Sequence, residues 1–251
     1  MEFKGITRGL VATAVLAAGG TSALAGQNDV VFRIEALSDG NLSVYEVHFA
    51  DGTWSDDGLS WEWNYDGDTF FFGSGAGGAD MGLGGFDNAS LSLDYSSRAT
   101  MQTVNLNFDV FAGASNTAFS IGSGPLNFAQ FSTAQGIASA SVGVTDVLGG
   151  GATLAPNAPG MYRAFYNGGT TFADLLASSL VAGQFSSAQA DDDFGFAAIG
   201  VPVDEIAAEW AFTLTAFDSA AGTSTFSVVP APGSALLLGL AGLTATRRRR
   251  H

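Results

Sequence analysis

Apolar and polar residues alternate along most of this chain. Val104, Leu106, Phe108 and Val110 are separated by Asn105, Asn107 and Asp109. Trp210, Phe212, Leu214 and Ala216 alternate with Ala211, Thr213 and Thr215. Leu91, Leu93 and Tyr95, then Tyr45, Val47 and Phe49, then Val30, Phe32, Ile34 and Ala36 repeat the pattern. A period of two puts one face of each segment in a core and the other in water, so each is a predicted strand. Residues 137–148 and 223–229 are further candidates. Turn chemistry lies between them: Ser38-Asp39-Gly40-Asn41, Asp51-Gly52, Asp57-Gly58, Asp66-Gly67 and Gly149-Gly150-Gly151. Many short strands with frequent turns predict an all-β fold, an antiparallel, jelly-roll-like β-sandwich. A transmembrane barrel shares the period, but segments such as Ala138 to Val144 are short and rich in Ser and Ala. They lack the ten-residue alternation that a lipid-facing strand requires.

One segment departs from the strand period. Phe172, Leu175, Leu176 and Leu180 share one helical face. Thr171 and Asp174 suit a capping box, and Gly183 a stop. Residues 171–182 are therefore expected to form one short helix.

Both ends have their own grammar. Lys4 and Arg8 precede an apolar run from Gly9 to Gly20, and Ala23-Leu24-Ala25 follows as a small-x-small site. This is a secretory signal with cleavage at Ala23 and Ala25, giving segment 1–25 and a body that begins at Gly26. At the other end, Val229-Pro230-Ala231-Pro232-Gly233 should break any preceding strand. A run of small and apolar residues, Ser234 to Ala245, then leads to Arg247, Arg248, Arg249 and Arg250. By the positive-inside rule that cluster holds the tail on the cytoplasmic side. The expected division is 1–25, a sandwich over 26–228 and a tail over 229–251, with both terminal apolar segments forming cleavable helices.

The tail resembles the PEP-CTERM sorting signal of bacterial envelope proteins. That pattern is a Pro-Glu-Pro-like tripeptide, a short apolar helix and a terminal Arg cluster. Here the tripeptide is Pro230-Ala231-Pro232, with Ala in place of Glu. The resemblance covers the tail alone. It implies recognition by an exosortase (a membrane transpeptidase), removal of the tail, and delivery to the surface or extracellular matrix of a bacterium with an outer membrane.

Composition sharpens this picture. The chain has 251 residues, 34 Gly, no Cys, two His and only 13% charged residues. Zero Cys excludes disulfide scaffolds, thiolate metal sites and Cys nucleophiles. Its formal charge of -15 hides an asymmetry. Six of nine basic residues lie at the ends, while Gly26 to Val229 holds three Arg against 23 acids, a net -20. Such a body repels nucleic acid and suits a soluble exterior.

Candidate chemistry concentrates in residues 45–72. Trp61, Trp63 and Tyr65 share a strand face. Exposed, they form a platform for stacking sugar rings; buried, they are core, the commoner fate of large aromatics. Asp51, Asp56, Asp57, Asp66 and Asp68 crowd the same turns, and Asp191-Asp192-Asp193 forms a second cluster. Asp56, Asp57, Asp66 and Asp68 are the candidate Ca²⁺ ligands, although no EF-hand loop is present and Asp is already favoured in turns. No other cofactor is expected. Gly73 to Gly78 fits G-x-G-x-x-G, but the Gly-rich sequence after it does not support the helix a dinucleotide site needs. His48 is the one histidine of the body, and no G-x-S-x-G elbow accompanies it. The expectation is a non-enzymatic, exported, surface or matrix protein. Its partners are an exosortase and extracellular polysaccharide, with membrane contact through the termini during export. A calcium-dependent carbohydrate-binding module and a secreted glycosidase are the alternatives.

Overall fold

A computed structural model describes residues 29–73, 82–97 and 101–231, with residues 96 and 97 described by backbone alone. The two terminal apolar segments, the signal site at Ala23 and Ala25, Pro232, and Arg247 to Arg250 lie outside these residues, as does most of the Gly73–Gly78 loop. The strands in chain order are β1 (Val30–Ser38), β2 (Asn41–His48), β3 (Thr53–Trp54), β4 (Ser60–Asn64), β5 (Phe70–Phe71), β6 (Gly85–Ser97), β7 (Met101–Phe111), β8 (Thr117–Ser123) and β9 (Leu126–Phe131). They continue as β10 (Ala134–Thr145), β11 (Ala152–Pro156), β12 (Tyr162–Tyr166), β13 (Thr170–Leu175), β14 (Leu180–Ala182), β15 (Ser187–Ile199), β16 (Val203–Leu214) and β17 (Ser219–Pro230).

The strands form two antiparallel sheets. The first has the order β13-β12-β16-β8-β1-β2, with β9, β11 and β14 completing it around β16 and β11. The second has the order β15-β10-β17-β7-β6-β4-β3, with β5 on β6. The expected strands are present. Val104, Leu106, Phe108 and Val110 turn inward, as do Phe32, Ile34 and Ala36, and Trp210, Phe212 and Leu214. Asp39 and Gly40 both take positive φ, 49° and 78°, and close the β1–β2 hairpin in two residues. That geometry explains the Asp-Gly pair.

Rings join the sheets. Trp210 of the first sheet lies 5.3 Å from Phe108 of the second, edge-on, and its indole N–H donates to Ser224 Oγ of β17 at 2.9 Å. Phe212 stacks on Phe108 and meets Phe119. At the other flank Tyr45 of β2 packs on Trp63, Phe70 and Phe86 of the opposing sheet.

The expected helix over 171–182 does not form. Among the described residues the only helical turn is a 3₁₀ turn at Phe49–Asp51. Residues 170–175 instead pair with β12, and residues 180–182 pair with β11. The four apolar side chains still find the core by another route. Ala173 and Leu175 point inward at a period of two. Leu176 then takes φ 60°, which lets two successive leucines face the core. Phe172 reaches the second sheet, stacking on Phe226 at 5.2 Å over Gly136, where a Cβ would stand 2.7 Å from the ring. A twelve-residue helix is marginal without tertiary support. Here the available tertiary partner is a strand edge.

The Val229-Pro230 step does not end β17 either, because the strand runs through Pro230, paired with Ala134. Ala231 N–H donates to the Thr133 carbonyl at 2.9 Å, so the backbone groups of Val229 and Ala231 face β10 and those of Pro230 face β7. Pairing with β7 has already stopped at Val228–Gln102. The N–H that proline lacks therefore has no ladder partner to lose.

Trp210→Ala removes both a ring from the centre of the core and the indole–Ser224 bond. Urea unfolding is expected to show a loss of about 3–5 kcal/mol; a loss below about 1 kcal/mol would mean that the core does not depend on this ring.

Candidate functional site

The aromatic and acidic patch resolves into core and turns. β4 pairs with β6 in the second sheet, and its inward residues are Trp61, fully buried, and Trp63, 7% exposed. The Trp61 indole N–H donates to the Phe49 carbonyl at 3.1 Å, and Trp63 lies 5.4 Å from Phe32. Tyr65 is half-buried against Phe86, and its hydroxyl donates to the Asp68 carbonyl at 2.6 Å. Burial, with Tyr65, Asp51 and Asp66 nearby, pushes the Tyr45 phenol up to about 12. Trp61, Trp63 and Tyr65 thus offer no exposed stacking platform. The ring that does reach solvent here is Trp54, 46% exposed, stacked beside Phe49 and tilted against Tyr95. No periodic signal marked it, since it sits in a two-residue strand between turns.

The candidate calcium ligands are spread over separate turns. Asp57 accepts hydrogen bonds from Ser55 Oγ at 2.6 Å and from Leu59 N–H at 3.0 Å, which hold its carboxyl below the usual range. Asp51 accepts from His48 N–H. Asp56, Asp66 and Asp68 point to solvent. In the second cluster Asp192 accepts from Leu176 N–H and Asp193 N–H. Among the described residues no three acids or histidines are placed to share one metal ion.

The most organised polar surface is one that sequence reading missed. On the outer face of the first sheet, strand register aligns Glu46, Arg33, Gly122, Glu209, Arg163 and Asp174 in one row across six strands. Arg33 pairs with Glu35 at 2.7 Å and Glu46 at 3.5 Å, and Arg163 pairs with Glu209 at 2.7 Å. Ser120 Oγ donates to Glu209, and the Arg163 guanidinium lies 5.1 Å from the Phe165 ring centre. Beside this row is a shallow depression of 530 Å³, lined by Glu35, Leu37, Leu42, Ser120, Asn157 and Ala211. The row presents donors and acceptors at near-zero net charge on an otherwise acidic body. The sequence signal was the scarcity of arginine; the register that aligns the two was not readable.

Two buried acids tie loops at one end of the sandwich. Burial acts to raise the Asp146 carboxyl, but the backbone N–H groups of Phe185, Gly151, Gly149 and Gly150 outweigh it and hold the group low. The shortest of these bonds is 2.6 Å, from Phe185. Asp218 accepts from Thr215 Oγ1 and Val147 N–H. At the opposite end the chain enters and leaves. Gly124 N–H donates to the Val31 carbonyl at the start of β1, and nine residues later Thr133 accepts from Ala231 beyond β17. No helix among the described residues is long and apolar enough to cross a membrane.

No protein-family model matches the chain, and no curated protein matches it. Among solved structures it is weakly similar to the Endo-D glycoside hydrolase domain of Streptococcus pneumoniae R6, at 8% identity and a TM-score of 0.21, over 66% of this chain and 21% of that one. A structure of infectious bursal disease virus, Gx strain, aligns at 12% identity and a TM-score of 0.22, over 83% of this chain and 58% of that one. The chain thus spans about a fifth and under two thirds of these two proteins, and likenesses this slight carry no functional argument.

Asp109 provides a test of the surface electrostatics. Burial, with Asp87 nearby, raises its carboxyl above 3.8. Above that raised value the charge costs more in the folded chain than in the unfolded one, so ionisation lowers stability as pH rises. Asp109→Asn is therefore expected to raise the melting midpoint at pH 7, and the gain should shrink as pH falls from the raised folded-state value through 3.8 and fade below it. A variant that melts lower at pH 7 would contradict the assignment. Asp146→Asn should show the reverse. It loses stability at neutral pH, and its deficit shrinks as pH falls below 3.8 through the lowered folded-state value; a deficit that is constant with pH would exclude the carboxylate as its cause.

Proposed function

We propose that this chain is an exported, non-enzymatic surface or matrix protein. In this reading a jelly-roll-like, acidic β-sandwich is delivered by the signal segment and sorted by an exosortase at the PEP-CTERM-like tail. The observation that carries it is that the chain enters and leaves the sandwich at one end. β1 begins beside Gly124 and runs in the same direction as β16, and β17 turns back from the far end of β16 to finish beside Thr133. Both apolar segments are thereby tethered to the same pole. A membrane holding either one would face that pole and leave the rest of the sandwich outside.

The surface fits that setting. An acidic body without lysine stays soluble and resists nucleic acid. Extracellular polysaccharide is the proposed partner. Its contact falls to the Arg33–Glu209–Arg163 row and the adjoining depression, because Trp61 and Trp63 are spent on the core. Paired charges, Ser120 and Asn157 offer hydrogen bonds to hydroxyl groups without demanding a charged ligand.

Fractionation of producing cells tests the reading. The body is expected in the surface or matrix fraction, shortened by about 25 residues at the start and about 20 at the end. Replacing Arg247 to Arg250 by Ala should abolish that deposition. Recovery of the body from the cytoplasm with Met1 in place would sink the proposal.

A further inference from the structure

The tail is joined to the sandwich in a way that restricts where it can be cut. β17 is an interior strand. It pairs with β10 from Ser219–Thr145 to Pro230–Ala134, and with β7 as far as Val228–Gln102. Val228 and Ala134 are buried, and Val229, Pro230 and Ala231 are half-buried. The Ala231 amide is the last backbone group held by the sheet among the described residues, donating to Thr133 O at 2.9 Å.

An enzyme that cuts a peptide generally takes it as an extended segment and engages the same backbone groups that a neighbouring strand would. On the side facing β10 the sheet already holds those groups as far as the Ala231 amide. Cutting before Pro230 would also take away the Pro230 that pairs with buried Ala134 and the Ala231 N–H that Thr133 O accepts, and stripping partners from sheet backbone is costly. From these contacts we infer that the processed peptide bond lies C-terminal to Ala231. The mature body then keeps Pro230 and Ala231, and the departing tail begins at Pro232 or later. Two residues of the sorting tripeptide are thus the end of the folded domain as well as part of the signal.

The inference rests on the proposed sorting by a transpeptidase. In the step itself the scissile C–N bond breaks and the acyl carbon passes to the enzyme's nucleophile. It then passes to water or to a primary amine on the acceptor, forming a C–O or a C–N bond. The nucleophile's proton goes to the tail nitrogen, which leaves as an amine, and the acceptor's proton then restores the nucleophile.

C-terminal sequencing by tandem mass spectrometry of the surface-associated protein, made as the full chain in its producing cells, decides the matter. The body holds no basic residue after Arg163, so digestion with an Arg-specific protease releases Ala164 to the natural end as one peptide. The expected last residue is Ala231 or one beyond it, with Arg247 to Arg250 absent. A body that ends at Pro230 or earlier, with the tail gone, overturns this inference and leaves the sorting reading standing. A body that still carries Arg247 to Arg250 overturns the sorting reading, and this inference with it.

Discussion

With no cysteine in the chain and no α-helix among the described residues, the sheets are held face to face by rings that interdigitate between them. Trp210, Phe108, Phe212 and Phe119 close one part of the interface, and Tyr45, Trp63, Phe70 and Phe86 another. Full burial of one such side chain contributes about 1.5–3 kcal/mol. A favourable edge-to-face or stacked pair adds about 0.5–1.5 kcal/mol. The polar atoms on these rings need partners once buried, and the fold supplies them locally: Ser224 for Trp210 and the Phe49 carbonyl for Trp61. This demand decides the fate of the aromatic patch. Rings needed to join the sheets are not available to stack on sugars.

Local alternation made the strands legible, and the turn residues made their ends legible. Val104 to Val110 and Val30 to Ala36 were readable because each has one buried face and hairpin neighbours. Residues 171–182 were misread as a helix because two different backbones place Phe172, Leu175, Leu176 and Leu180 on the same core. One is a helix; the other is a strand with a single left-handed kink at Leu176. Only pairing with β12 and β11, and the opening above Gly136, selects between them. The row from Glu46 to Asp174 was unreadable for a related reason. Its members are separated by up to 176 positions, from Arg33 to Glu209, and meet only through the register of six strands.

The surface follows an economy set by composition. Outside the row, several acids are engaged by the backbone rather than by a cation. They accept backbone N–H groups and so build turns, as Asp57 does for Leu59 and Asp146 does for Phe185. A carboxylate satisfied by N–H groups needs no cation beside it. That is how a body of 23 acids and three arginines can fold without being driven apart locally. The ion pairs Arg33–Glu35, Arg33–Glu46 and Arg163–Glu209 fall on one face.

The first and last strands stand inside opposite sheets. β1 lies between β8 and β2, and β17 lies between β10 and β7. One neighbour of β1 and both neighbours of β17 are therefore distant in sequence, and such topologies fold slowly because loop closure must precede pairing. Until β17 arrives, β10 and β7 have no partner between them, and the second sheet is split into two unpaired edges. Completion of the fold thus waits for the residues that adjoin the tail. A chain exported unfolded, with its tail the last part to emerge, would reach the outside with the second sheet still open. Release of Pro230 and Ala231 into the β10 groove then becomes the closing event of folding. Under the proposed sorting, the two processes share those two residues: the fold would limit where the tail can be removed, and the tail's progress would set when the fold can close.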